Sequence, residues 1–427
     1  MLDIKFVRES PETVKENLSR RGNPELLQML ENLIGHDREW RRLLTKTNEL
    51  RHERRKITNE IALLKKAGEG VDKHIEKGRE VDAQIVALDR QVEEHKQYAH
   101  KILMGLPNLL HETVPYGNDE KDNVQVRLWG KPPEFDFRPK NHLEIAQGLD
   151  LIEVERGGKI AGHGYFYLKE DLALLDLALQ RFGVDFMLQK GYRLIEPPFM
   201  MRRRPYEGVT DLADFENVMY KIENEDLYLI ATAEHPIAAM FMNEVLLKDE
   251  MPMKLVGISP CFRKEVGTHG KYTKGLFRMH QFNKVEQFIF CLPANSWAFH
   301  EEMQRNAEEL YQALGLHFQV VNVCTGDIGT VPAKKYDIDA WMADGIYREV
   351  GSNSNCTDYQ ARRLGIRYRD KEGQPPRGFV HTLNSTVIAT SRAMVAILEQ
   401  YQQKDGSCLV PRVLTKYAHG LEKLELH

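Results

Sequence analysis

The sequence has no apolar run long enough to span a membrane, and 29% of its 427 residues are charged. Its start, "MLDIKFVRES", carries Asp3, Lys5, Arg8 and Glu9. Neither the apolar stretch of a secretory signal nor the acid-poor bias of a transit peptide is there, so a cytoplasmic protein is expected. The five cysteines (Cys261, Cys291, Cys324, Cys356 and Cys408) are scattered, with no CxxC and no HxxxH. That spacing suggests neither a zinc site nor a disulfide framework and leaves buried thiols. Neither GxGxxG nor GxxxxGK[ST] occurs, which removes support for a Rossmann or P-loop nucleotide site. A net charge of -4 argues against a chain that is polybasic throughout, although a local basic patch still acts over roughly 10 Å.

Proline is missing from residues 37–104, which are rich in Arg, Lys, Glu and Gln. Trp40, Leu43, Thr47, Leu50, Arg54, Ile57, Ile61 and Leu64 step by three and four, a heptad seam interrupted at Arg54. After "KKAGEGVD" a second seam runs through Val81, Ile85, Leu88, Val92, His95, Ala99 and Ile102. Two seams joined by a glycine turn predict an antiparallel helical hairpin, each helix about 30 residues and about 45 Å long. Arg51, Arg54 and Arg55 belong to a strongly basic first helix. Such a helix is either a solvated coiled coil or an arm that grips nucleic-acid phosphates.

"LPNLLHETVPYGNDEKDN" follows, with two prolines and a polar tail, and residues 111–124 read as a linker. From residue 125 to 427 the pattern is that of an α+β domain built on an antiparallel sheet. Strand-like runs occur at "YRLIEPPFM", "LYLIAT", "MKLVGIS", "LFRMHQFNKVEQFIFC" and "HFQVVNV". Helical periodicity marks "LDLALQRFGVDFMLQKG" and Thr390–Gln402.

In "LFRMHQFNKVEQFIF" the alternation puts Phe277, Met279, Val285 and Ile289 on one face and Arg278, His280, Phe282, Lys284 and Glu286 on the other. Cations, an aromatic platform and a carboxylate are expensive to bury together unless something fills the space between them. Arg263 and Glu265, on the strand before, share one face and fall beside this group if the two strands form a hairpin. The connection carries Gly267, Gly270, Lys271, Lys274 and Gly275, and a long polar loop of that kind suits ligand binding. Arg suits phosphate, through its bidentate fork, and Phe a purine ring.

Arg-x-Glu, the loop and the Phe-bearing strand resemble motif 2 of the class II aminoacyl-tRNA synthetases. "GYRLIEPP" resembles their motif 1, at the dimer interface, and "STVIATSRAMVAILEQYQ" their motif 3. With "TAE" at Thr232–Glu234, "REVGSNSNCTDYQARR" and the helical arm, the chain resembles the seryl-tRNA synthetases over nearly its whole length. The resemblance implies an N-terminal tRNA-binding domain at 1–110 with its arm at about 37–104, a class II catalytic domain, and a homodimer. The substrates would be ATP, L-serine and serine tRNA, with Mg2+ as cofactor; service to selenocysteine tRNA stays open.

Residue by residue, the resemblance gives Arg263 the ATP α-phosphate, Glu265 the adenine amino group, Phe282 the purine face and Arg392 the γ-phosphate. Arg278 helps place the triphosphate. Glu349 and Ser352 contact ATP through a divalent cation. Thr232, Glu234, Arg263, Glu286 and one or more of Asn384, Ser385 and Thr386 face serine, and the arm's Arg51, Arg54 and Arg55 face tRNA. Two alternatives remain at this point. One is a paralogue that loads a small amino acid on a carrier protein, which would lack the arm. The other is a catalytically silent RNA-binding homologue, which would have no reason to keep Arg263, Glu265, Glu286, Glu349 and Arg392.

Overall fold

A computed structural model of the chain describes residues 1–211, 215–265 and 275–426. Gly267, Gly270, Lys271 and Lys274 lie outside the described residues. The chain divides into two compact units, Met1–Leu106 and Pro107–His427.

In the first unit, helix α1 (Pro24–Ala67) is 44 residues long and helix α2 (Asp72–Gly105) 34. They run about 66 and 51 Å at 1.5 Å per residue. The first helix starts well before residue 37 because Asn23 and Pro24 start it: the Asn23 side chain accepts from Glu25 N, and Pro24 occupies the first helical position. Gly68, at φ +73, ends it in the left-handed conformation that glycine adopts without penalty. Leu43, Thr47, Ile57 and Val81 are buried between the helices. At the interruption, Arg54 reaches across to Asp82 of the facing helix at 2.8 Å, and Arg51 reaches Asp89 at 2.8 Å.

The second unit is built on an eight-stranded sheet. Its strands are β1 (Val124–Trp129), β2 (Arg193–Ile195), β3 (Met253–Phe262), β4 (Gln281–Cys291), β5 (Phe318–Asn322), β6 (Lys334–Trp341), β7 (Tyr347–Asn355) and β8 (His381–Ala389). The spatial order is β1-β5-β6-β7-β8-β4-β3-β2, antiparallel except for the parallel β2–β3 pair at one edge. The proline pair after Ile195 keeps β2 short. Helices α3 (Glu170–Gln189), α4 (Ser296–Ala313) and α5 (Thr390–Gln400) share one core with Val285 and Ile289, while Phe288 and Phe290 enter a second core with Tyr206, Ile237 and Leu364.

The strand read from Leu276 begins only at Gln281. Arg278 and His280 therefore lie in the turn before it, and Arg263 and Glu265 lie beyond the end of β3. The segment read as a linker belongs to the second unit. His111 N donates to Ala333 O at 2.9 Å, and Leu110 and Val114 pack on Val321, Val323 and Ile328. All five cysteines are free and buried. Among the described residues no helix is long and apolar enough to cross a membrane.

Candidate active site

Strand register sets the floor of the site. Thr386 on β8 pairs with Glu286 on β4, and Glu286 with Gly257 on β3. A Cβ at Gly257 would stand 2.5 Å from Ile237 and 3.0 Å from Ala233. Only glycine therefore lets the segment carrying Thr232 and Glu234 settle onto the strand beside Glu286. The Thr232 hydroxyl hydrogen-bonds to Glu286, and Glu234 N donates to Thr232 Oγ1 at 3.2 Å. Gln360 Nε2 donates to Glu234 Oε1 at 3.0 Å. His235 does not neutralise Glu234. It is buried against the Tyr206 hydroxyl at 3.0 Å, and burial lowers its pKa to about 3.

Glu286 is 1% exposed and ion-paired with the buried Lys284, two residues along the same face. Burial nevertheless raises its pKa, against the pull of Lys284 and Arg263. Burial, then the neighbouring charge of Glu286, pushes Glu234 up to about 7. Two carboxyl groups reluctant to ionise side by side form a natural socket for an ammonium group.

A cationic cluster adjoins this socket. The Arg263 guanidinium stacks over the Phe282 ring at 5.3 Å, and its Nε donates to Ala231 O at 3.3 Å. Glu265, at φ +47, accepts from Arg278 Nη1 at 3.3 Å. Phe262 N donates to Ile230 O at 2.8 Å, so the chain leading to Thr232 and the chain leading out of β3 are tied together.

On the other side of the sheet centre, Arg392 at the start of α5 donates to Glu349 Oε1 at 2.9 Å. Partial burial of Glu349 opposes its ionisation. The charges of Arg392, Lys335 and Arg263 outweigh that and hold it down at about 2, although 43% of its side chain stays accessible. Glu349 and Ser352 are three apart and would normally point to opposite faces. The register with β6 skips Val350, so Glu349 pairs with Asp339 and Ser352 with Asp337, and both end on one face.

Among the residues of the second unit named from the sequence, Ser385 stands apart. Ser385 is 1% exposed and points to the opposite face, where Gln287 Nε2 donates to its hydroxyl at 3.2 Å. Asn384 and Thr386 stay on the side of Glu286. Sequence reasoning missed Gly257, Gln360, and the Lys335–Asp337 pair at 3.2 Å beside Glu349. The signal for the pair was present: in "KKYDIDAW" charged residues at 335, 337 and 339 alternate with Tyr336, Ile338 and Ala340.

Two family descriptions match the chain. The N-terminal domain of seryl-tRNA synthetase covers residues 1–110, and the class II core domain of the tRNA synthetases (G, H, P, S and T) covers 218–401. The serine–tRNA ligase of Methanocella arvoryzae is 52% identical over 425 residues, 99% of this chain and 100% of that protein. That of Thermococcus onnurineus is 48% identical over 448 residues, 100% of this chain and 98% of that protein. The crystal structure of the Pyrococcus horikoshii seryl-tRNA synthetase complexed with ATP superposes with a TM-score of 0.96 at 48% identity, covering 100% of both chains. Matched by both domains and alike over its full length, the chain belongs to the seryl-tRNA synthetase family.

Proposed function

We propose that this protein activates L-serine with ATP and transfers the seryl group to the 3′ end of serine tRNA. The observation that carries this reading is the position of Arg263. Its guanidinium lies over Phe282 while its Nε holds Ala231 O beside Thr232, so one cation joins the aromatic platform to the segment that lines the ammonium socket.

In this reading Glu286 and Glu234 receive the serine ammonium, while Thr232, Asn384 and Thr386 surround the side chain. A carboxylate oxygen of serine attacks the α-phosphorus of ATP. The Pα–O bond to pyrophosphate breaks, and pyrophosphate leaves with the electron pair. Arg263 holds the α-phosphate, with the purine laid on Phe282 and its amino group at Glu265. Arg278 and Arg392 neutralise the remaining phosphates. No side chain needs to act as general base, because the attacking carboxylate is already ionised and the anhydride already activated. The work is alignment and charge neutralisation. In the second step a hydroxyl of the terminal ribose attacks the seryl carbonyl carbon, the C–O bond to the phosphate breaks, and AMP departs with its phosphate taking up the hydroxyl proton.

Glu349 and Ser352 fit a divalent cation. An ionised carboxylate and a hydroxyl on one face offer hard oxygen donors, as Mg2+ prefers. Among the described residues no cluster of three or more side chains suited to a metal occurs, so phosphate oxygens would complete the shell. When bound, Mg2+ would add charge neutralisation on the triphosphate.

The homodimer is proposed through the β2 edge, where Leu194 is 50% exposed on a strand with one free side. We place the enzyme in the cytoplasm. Serine-dependent ATP–pyrophosphate exchange followed by charging of purified serine tRNA tests the reading. Exchange driven by another amino acid, or activation without charging, would refute it.

A further inference from the structure

His280 lies between the two parts of the ATP-binding stretch, and three separate segments converge on it. Its carbonyl accepts from Arg263 N at 2.9 Å, and its own N donates to Gly164 O at 3.3 Å. Its ring stacks on Tyr165, with centroids 5.1 Å apart and planes 15° apart. Tyr220 Oη lies 2.5 Å from His280 Nδ1 and accepts from Tyr165 Oη at 3.1 Å. Gly164, at φ +86, adopts a conformation that favours glycine, and a Cβ there would stand 2.4 Å from His280 Cδ2. The backbone at 164 therefore lies flush against the imidazole.

Tyr165 Oη, Tyr220 Oη and His280 Nδ1 thus form one hydrogen-bonded chain. Burial, then the neighbouring Tyr165, raises the Tyr220 pKa far above its ordinary value, so Tyr220 keeps its hydroxyl hydrogen for that chain. The 218–220 segment holds the same stretch a second time, through Lys264 N donating to Val218 O at 3.0 Å.

We propose that Tyr220, oriented by Tyr165, is a positioning residue for ATP. By fixing the His280 ring it fixes the His280 carbonyl, which holds Arg263 with its guanidinium over Phe282. None of the three aromatic side chains needs to touch the nucleotide. The proposal rests on the reading of Arg263 and Phe282 as ATP-binding residues. A purely structural role predicts something else: these residues lie beside the serine socket as well, so general loosening would disturb both substrates.

The test is steady-state pyrophosphate exchange with the full-length enzyme. Tyr220→Phe removes one hydrogen bond from a half-buried position, and a net bond of ordinary strength corresponds to about a three- to tenfold rise in KM for ATP. KM for serine should rise less than KM for ATP, and Tm should stay close to wild type. His280→Ala should raise the ATP KM further. His280→Gln, whose side-chain amide can hydrogen-bond to Tyr220, should recover part of that loss. Adding Tyr220→Phe to His280→Ala should change little, because the two act through one path. An unchanged ATP KM in Tyr220→Phe, or equal rises for ATP and serine with a lowered Tm, overturns the proposal. Absence of serine-dependent exchange in the wild-type protein would instead bring down the functional reading, and the proposal with it.

Discussion

Arg392 holds Glu349 twice, through the side-chain oxygen at 2.9 Å and through the backbone carbonyl at 3.0 Å. Its guanidinium also lies 5.2 Å from the centre of the Phe277 ring, so it is fixed on two sides before any phosphate arrives. A cation held in place in advance spends little freedom on binding, which is what γ-phosphate capture requires.

Arg392→Ala should therefore raise the ATP KM by tenfold or more, while serine binding without ATP stays near wild type in calorimetry. Loss of serine binding would make Arg392 a substrate or packing residue. The same variant has an acid signature. Glu349 is held below its ordinary value of 4.5, so its ionised form stabilises the fold above about pH 4.5 and that contribution fades as pH falls toward 2. Without Arg392 the contribution shrinks, and the stability lost between pH 5 and pH 2 should be smaller than in wild type.

For Glu286→Ala the structure changes the expectation. From the sequence alone this variant should lose activation and keep its fold. Glu286 is, however, the ion-pair partner of Lys284, whose side chain is only 8% exposed. Removing one member of a buried pair leaves an uncompensated charge and costs about 3–5 kcal/mol. Glu286→Ala should therefore lose serine-dependent exchange and also melt several degrees lower. Glu286→Ala with Lys284→Met should recover much of the Tm and none of the activity. Equal Tm in wild type and Glu286→Ala would mean that the pair is not closed in solution.

Glu234 makes the serine site sensitive to pH. Its pKa of about 7 lies above its ordinary 4.5, so the folded state binds the extra proton. The sign follows from that: this group makes stability fall as pH rises from about 4.5 to about 7, with no further change above. Glu234→Gln should remove that slope in urea melts taken across the window. Serine brings a positive ammonium group, which favours the ionised carboxylate, so serine should bind more weakly below pH 7 and release protons on binding. Calorimetry in buffers of different ionisation enthalpy reads the proton directly. A serine affinity flat from pH 6 to 8 would remove Glu234 from the ammonium site.

Much of the site was legible because strand periodicity and the motifs carry it. Phe282, Lys284 and Glu286 alternate as the pattern requires, and Thr386 falls opposite Glu286. What the sequence could not settle depended on register and backbone shape. Whether Ser385 or its neighbours face serine is decided by which face of β8 meets α4, and Gln287 answers it by bonding Ser385 on the far side. Glu349 and Ser352 share a face only because of a bulge, which alternation does not predict. Gly257 is invisible as a site residue until the segment packed on it is known. The long reach of α1 was missed for a local reason: the seam was counted from Trp40, while the capping pair Asn23–Pro24 starts the helix well before it.

The arm's three arginines, alike in the sequence, differ in the structure. Arg51 and Arg54 are paired across the hairpin with Asp89 and Asp82, whereas Arg55 is exposed and forms no ion pair among the described residues. Phosphate must compete with a carboxylate for the first two and with water alone for the third. Exposed pairs are worth about 0–1 kcal/mol, so the competition is mild but measurable. Arg55→Gln should weaken serine tRNA binding and lower the slope of log affinity against log salt by about one phosphate contact. Arg51→Gln and Arg54→Gln should each do less. Asp82→Asn and Asp89→Asn should tighten tRNA by releasing their arginines. Pyrophosphate exchange should not change in any of the five, since the reacting groups all belong to the second unit. Binding of serine tRNA by filter retention at 50 to 300 mM salt gives the slopes. Identical slopes in wild type and all five variants would make this face of the hairpin a solvated coiled coil and move the phosphate contacts elsewhere.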